Sequence, residues 1–188
     1  MLPFLEDIAR RASQYAQRRG LELGPRLGDG KDGIVYSTFG SLQGPTAVKA
    51  LARADLYGRE LACYRRLAVR GIGGSVQVCG HNVPQLLGHD DELLVIEMTI
   101  VTRPFVLDFA GAFLDAPPEF PAEVMEERNA HWADVFENRW HSVQRIMAEF
   151  RRHGLHLLDP SPGNIAFEGD IERHSPASVA DHDQPRLH

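Results

Sequence analysis

The chain has 188 residues, 43% of them hydrophobic, and a formal net charge of −6, which is length enough for one ordinary domain or two small lobes sharing a core. The acidic balance argues against a broad nucleic-acid footprint, and two cysteines without CxxC spacing exclude a disulfide scaffold. With no N-terminal signal pattern and no apolar run of about 18 residues, the expectation is a cytoplasmic protein with no membrane span and no nucleic-acid partner.

In chain order, residues 3–19 place Ile8, Ala12 and Tyr15 on one side at helical spacing, and Gly20 ends the pattern. This predicts a leading amphipathic helix, residues 1–20, without chemistry of its own. Next comes Gly28-Asp-Gly30-Lys-Asp-Gly33-Ile-Val35, three glycines at G-x-G-x-x-G spacing. Glycines let backbone N–H groups approach phosphate oxygens without interference from a Cβ. The same glycines also suit a plain hairpin without a ligand. A Rossmann site is disfavoured, because Ile34 to Phe39 reads as strand rather than helix.

Thr46-Ala47-Val48-Lys49-Ala50-Leu51 then sets a lysine inside an apolar strand pattern. A lysine so placed is costly unless it is paired or meets an anion. After a glycine hairpin, a phosphate-binding role suits it better than an edge position facing solvent. A helical pattern over residues 55–69 follows, with Glu60 one turn before Tyr64. Glu60 is the acid that can reach back to Lys49, or a surface residue pairing with Arg65 or Arg66. Val83 to His89 and Glu92 to Met98 read as a hairpin about a turn at Asp90-Asp91, and residues 96–99 as a linker between lobes. One long helical pattern is predicted from about Ala122 to Arg152, its aromatic stripe belonging to the core and Gly154 stopping it.

Beyond it stands Asp159-Pro-Ser-Pro-Gly-Asn164-Ile-Ala-Phe167. Asp and Asn separated by four residues hold two polar side chains over one point. The Asp can accept a hydroxyl proton and the Asn carbonyl can bind a metal, although Pro160, Pro162 and Gly163 equally make an ordinary turn. The tail from Gly169 is polar and rich in His, Asp and Pro, and is expected to be flexible. Nine histidines show no HExxH spacing, and neither a zinc site nor a GxSxG nucleophile is legible.

Together these residues resemble the protein-kinase-like superfamily. The matches run in family order: Gly28-x-Gly30-x-x-Gly33-x-Val35, Ala47-Val48-Lys49, Glu60 on a helix, a hinge-like Leu93 to Glu97, and Asp159-x4-Asn164-Ile165. The small size is similar to the atypical branch of RIO-type, lipopolysaccharide-kinase-like and aminoglycoside-phosphotransferase-like proteins. The resemblance implies an α+β, two-lobed fold: an antiparallel-sheet N-lobe over 21–99, a reduced helical C-lobe over 100–168, and the tail, 169–188. It implies ATP and Mg2+ as cofactors, with the glycine loop, Val35 and Ala47 around the nucleotide and the backbone at Glu97 and Met98 taking the adenine. Lys49, oriented by Glu60, would hold the α- and β-phosphates. Asp159 would deprotonate a hydroxyl acceptor, on a small molecule or a protein, and Asn164 would hold the metal.

Two departures stand out. The position two before the catalytic Asp, where the family has His, is Leu157, and no D-F-G follows Asn164. The family places that second metal-binding Asp a dozen or so residues on, where Asp170, Asp181 and Asp183 stand. Val179-Ala-Asp181 is the best positional match. The expected function is therefore ATP-dependent phosphotransfer, the alternative a pseudokinase-like module that binds nucleotide or a partner without turnover.

Overall fold

The computed structural model describes residues 2–30, 32–42 and 44–170. Helix α1 (Leu2–Arg19) leads into a five-stranded antiparallel sheet of β1 (Glu22–Gly30), β2 (Gly33–Phe39), β3 (Thr46–Leu51), β4 (Leu86–Asp90) and β5 (Val95–Thr99). Its strand order is β1-β2-β3-β5-β4, and α2 (Ala54–Val69) connects β3 to the β4–β5 hairpin. The protein is thus a mixed α/β fold.

Side-chain alternation gives the sheet two buried faces. Ile34, Val48, Ala50 and Val95 point to one side and pack on Ile8, Ala12 and Tyr15 of α1. That helix ends at Gly20, whose φ of 68° is a left-handed cap, while Leu21 donates its N–H back to the Ala16 carbonyl at 2.8 Å. The opposite face presents Ala47, Leu51, Ile96 and Met98 to Leu56, Leu61, Tyr64 and Leu67 of α2. This second core continues without a break into the helical half, through Phe109, Ile146, Phe150 and Ile165. Lys49 lies on that face, between Val35 and Ile96 in register.

Two local expectations change. The span Glu92 to Leu94 is a turn rather than strand, because Asp90 Oδ1 accepts the N–H groups of Glu92 and Leu93 at 3.0 and 2.9 Å and Leu94 sits at φ 53°. The long helix expected over 122–152 is broken into α3 (Ala122–Phe136) and α4 (Trp140–Arg152) by a short 3₁₀ turn, Glu137–Arg139. Glu137 takes φ 50° there, where no Gly or Pro signals a break. The break frees α4 to bury Val143, Ile146 and Phe150 in the core, whereas α3 buries only Phe136.

Four two-residue strands complete the helical half: β6 (Phe105–Val106), β7 (Phe113–Leu114), β8 (Leu155–His156) and β9 (Ile165–Ala166). They pair crosswise, β6 with β9 and β7 with β8, both antiparallel. Each pair therefore joins segments some forty to sixty residues apart in the chain. None of the described helices is long and apolar enough to cross a membrane.

Candidate functional site

The site begins with a lysine in the wrong solvent. Lys49 is 7% exposed and Glu60 is completely buried, so each charge survives only through its partner. Lys49 Nζ donates to Glu60 Oε1 at 3.0 Å and lies 2.9 Å from Oε2. The second contact lacks hydrogen-bond alignment, which leaves Oε2 a buried acceptor without a donor. Helix α2 buries this glutamate because residues 56, 57, 60, 61, 63, 64 and 67 form its core-facing stripe.

Lys49 has a second partner that sequence reasoning missed. Its Nζ also donates to Asp108 Oδ1 at 2.9 Å. Asp108 follows β6 at φ 59°, a left-handed conformation that costs a non-glycine residue about 1–3 kcal/mol. The conformation brings Oδ1 within 3.1 Å of the Ala110 N–H. Its neighbour Phe109 is fully buried, edge-on to Tyr64 of α2 at 5.2 Å and 5.7 Å from Phe150. The run Asp108-Phe109-Ala110-Gly111 carries a signal that could have found it. It lies upstream of Asp159, whereas the candidates read from the sequence, Asp170, Asp181 and Asp183, all lie downstream.

Burial pulls the Lys49 ammonium down, but Glu60 and Asp108 outweigh burial and hold it above its ordinary value. Burial pushes the Glu60 carboxyl up, with Lys49 opposing. For Asp108 burial also pushes upward, yet Lys49 and the Ala110 N–H bring the carboxyl below the usual range. With Nζ within 3.0 Å of both acids, the charged arrangement governs: one ammonium between two carboxylates.

In the same sheet lies the glycine hairpin, Gly28 opposite Val35 and Gly30 opposite Gly33, with Val35 in turn opposite Lys49. Its glycines are not equivalent. A Cβ on Gly33 would come within 2.4 Å of the Ala50 carbonyl oxygen, so the sheet itself demands glycine there. Cβ atoms on Gly28 or Gly30 would meet nothing within 4 Å, so these two leave room beside the strand that the fold does not need. Val35, Ala47 and Met98 line the Lys49 face of the sheet, and the Tyr64 hydroxyl donates to Met98 Sδ at 3.1 Å.

Glu97 and Met98 lie inside β5, paired on one side with Val48 and Ala47 and on the other with Gly88 and Leu86. The backbone leaves the sheet only after Thr99. The Glu97 side chain points to α1, where Oε2 accepts from Tyr15 at 2.9 Å and Arg19 at 3.2 Å, and Oε1 accepts from Thr46 at 3.2 Å. Its structural work is to tie α1 to the central strand.

On the helical side, Asp159 is exposed, its Oδ1 accepting the Ser161 N–H at 3.3 Å. Asn164 Nδ2 donates to the Asp159 carbonyl at 3.0 Å, which closes the loop. Because a carbonyl can only accept, this bond fixes the amide and leaves Asn164 Oδ1 available. Leu157 is buried in the core. The Asp159–Asn164 loop is bound to the Asp108 turn by the Leu107 N–H, which donates to the Asn164 carbonyl at 2.7 Å. The structure thus brings Lys49, Glu60 and Asp108 into contact and ties the Asn164 backbone to the residue beside Asp108. Asp170 lies apart, capping the Phe167 N–H at 2.7 Å and pairing with Arg139. Asp181 and Asp183 lie outside the described residues.

The oxygen donors suit a hard cation. Magnesium is held by one or two carboxylates, with substrate phosphates and water completing its shell. Asp108 offers one carboxylate and Asn164 a neutral amide oxygen, and no cluster of three His, Cys, Asp or Glu side chains stands among the described residues. Thiol chemistry is disfavoured at Cys63, whose burial pushes the group up to about 12.

No family model and no curated protein matches the sequence. Among solved structures, the chain is similar to a Rio2 kinase–ADP/Mg2+–phosphoaspartate complex from Chaetomium thermophilum, at 16% identity and a TM-score of 0.34. The match takes in 65% of this chain and 39% of that one, so it spans about two-fifths of the relative's length. A likeness this distant says nothing of this chain's activity.

Proposed function

We propose that the protein has a kinase-like fold and transfers the γ-phosphate of ATP to a hydroxyl acceptor, a small molecule or a protein. The observation that carries this reading is the buried Lys49–Glu60 pair, in register through Val35 with the glycine hairpin, in a fold whose core also takes in Leu157 and Ile165 on either side of the Asp159–Asn164 loop. An ammonium buried against one acid and reaching a second is positioned to exchange an internal anion for a phosphate. The open space beside Gly28 and Gly30 lets backbone amides approach that phosphate.

In this reading Val35, Ala47 and Met98 pack against the base, and the backbone beyond Thr99, where β5 leaves the sheet, receives its edge, because Glu97 and Met98 are strand-paired on both sides. Lys49 holds the α- and β-phosphates, kept in place by Glu60. Asp159, exposed at the loop, accepts the acceptor's proton as the new O–P bond forms and the β–γ bridge breaks, ADP leaving with the electron pair. Asn164 Oδ1 contributes to holding magnesium, which when bound neutralises the charge developing on the phosphates.

Nucleotide binding is tested by thermal shift with Mg-ATP. Wild type is expected to be stabilised and Lys49→Ala to lose the effect; an equal shift in both would sink the assignment. Turnover is tested by Asp159→Asn, expected to keep the shift and lose about a hundredfold or more in phosphotransfer or ATPase rate.

A second reading is a pseudokinase-like module without turnover. The observation on its side is that Asp108 already occupies Lys49, so an internal counter-ion competes with the nucleotide. Wild type that binds Mg-ATP but hydrolyses and transfers nothing, with Asp159→Asn indistinguishable, would decide for it.

A further inference from the structure

We propose that Asp108 is the metal-binding carboxylate of this site, so that the second metal ligand is supplied from upstream of the Asp159–Asn164 loop rather than by Asp181 or Asp183 downstream of it. The proposal rests on the phosphotransfer reading for its biological meaning, but its physical basis is independent of that reading.

The basis is the crosswise pairing of four short strands. Strand β6 leads into the Asp108 turn and β7 leaves it; β8 leads into the Asp159–Asn164 loop and β9 leaves it. Because β6 pairs with β9 and β7 with β8, the two turns are clamped together from both ends. The 2.7 Å bond from the Leu107 N–H to the Asn164 carbonyl joins the residue before Asp108 to the Asn itself. A two-residue strand has too few bonds to form alone, so these pairings exist to hold the turns in place.

The carboxylate is also prepared for a cation. Asp108 Oδ1 serves the Lys49 ammonium and the Ala110 N–H, while Oδ2 has no protein hydrogen bond among the described residues. The side chain is 39% exposed, so a solvated ion can reach it, although its Lys49 partner is buried. Its left-handed backbone is held by Phe109, locked between Tyr64 and Phe150. An unfavourable backbone retained at a carboxylate that meets both a buried ammonium and a backbone N–H indicates a functional constraint. Asn164 Oδ1 supplies a neutral oxygen donor from the clamped loop, the kind of partner a magnesium ion completes with phosphate and water.

The test uses the full chain in three forms: wild type, Asp108→Asn, and Asp181→Asn/Asp183→Asn. Mn2+ binding is followed by electron paramagnetic resonance, with the cation alone and then with ADP. Wild type and the tail variant are expected to bind Mn2+ equally, and Asp108→Asn to bind at least about tenfold more weakly. Asp108→Glu, which keeps a carboxylate, is expected to recover part of that loss, which a merely misfolded turn would not allow. Loss of Mn2+ binding in the tail variant with retention in Asp108→Asn would overturn the proposal, as would wild type that binds no Mn2+ under either condition. Wild type that binds Mn2+ through Asp108 but shows no ADP dependence would defeat the nucleotide reading and leave the metal assignment standing.

Discussion

Replacing Lys49 by Met removes the ammonium and keeps most of the side-chain volume, so its cost isolates the charge. The variant leaves Glu60 completely buried, with the cation that opposed its burial gone. Asp108, 39% exposed, can rehydrate, so the penalty falls on Glu60. Breaking a buried pair by removing one partner costs about 3–5 kcal/mol, a large part of the roughly 5–15 kcal/mol that holds a domain folded. Glu60 has an escape, which is to take up a proton. Its folded-state value in the variant stands above the unfolded value, so the native state binds more protons than the unfolded one between the two. Stability then falls as pH rises through that window, at about 1.4 kcal/mol per pH unit, and is recovered toward about pH 4.3, the ordinary glutamate value. Urea unfolding at several pH values between 5 and 8 reads this directly. Lys49→Met should lose far more stability at pH 8 than at pH 5, and Lys49→Met/Glu60→Leu should regain most of the loss with no such slope. A variant whose deficit is under about 1 kcal/mol, in the range of an exposed pair, and independent of pH would refute the reasoning.

Four further outcomes follow from the same geometry. Gly33→Ala should destabilise the protein by about 1–3 kcal/mol, as overpacking does, because its Cβ would lie 2.4 Å from the Ala50 carbonyl oxygen. Gly28→Ala and Gly30→Ala should change stability by about 0.5 kcal/mol or less yet weaken the Mg-ATP thermal shift. Tyr15→Phe removes the 2.9 Å donor to buried Glu97 Oε2 while Arg19 remains, and should cost about 1–2 kcal/mol in chemical denaturation. Asp108, whose carboxyl Lys49 holds below the usual range after burial has pushed it up, contributes stability that is present above its unfolded value of about 3.9 and lost as pH falls through the folded one. The acid limb of a stability–pH profile should therefore be shallower in Asp108→Asn than in wild type.

Much of the half that carries the five-stranded sheet was legible because its information is local. The period of α1 and α2, the strand pattern around Lys49 and the glycine spacing each name a face of an element, and side-chain direction follows from backbone period alone. Lys49 and Glu60 could be paired on that basis: an apolar strand leaves a lysine no other reason to be there, and the Glu60 position falls in the helix's buried stripe. What misled was equally physical. Glu92 to Leu94 has strand-forming side chains, but the Asp90 carboxylate captures two of its amides. The aromatic stripe of 122–152 has no breaker, yet packing α4 into the core was worth the left-handed turn at Glu137.

By itself, then, the amino-acid sequence determined α1, α2 and the strands around Lys49, their buried faces and the order of Gly28, Lys49, Glu60, Asp159 and Asn164 along the chain, since each depends on neighbours a few residues away. Only the tertiary structure decided that Asp108 is the third member of the Lys49 cluster. That placement depends on strands of two residues each, paired across some forty to sixty positions, too short to carry a periodic signal and selected only by the core that Phe109, Tyr64 and Phe150 close around them.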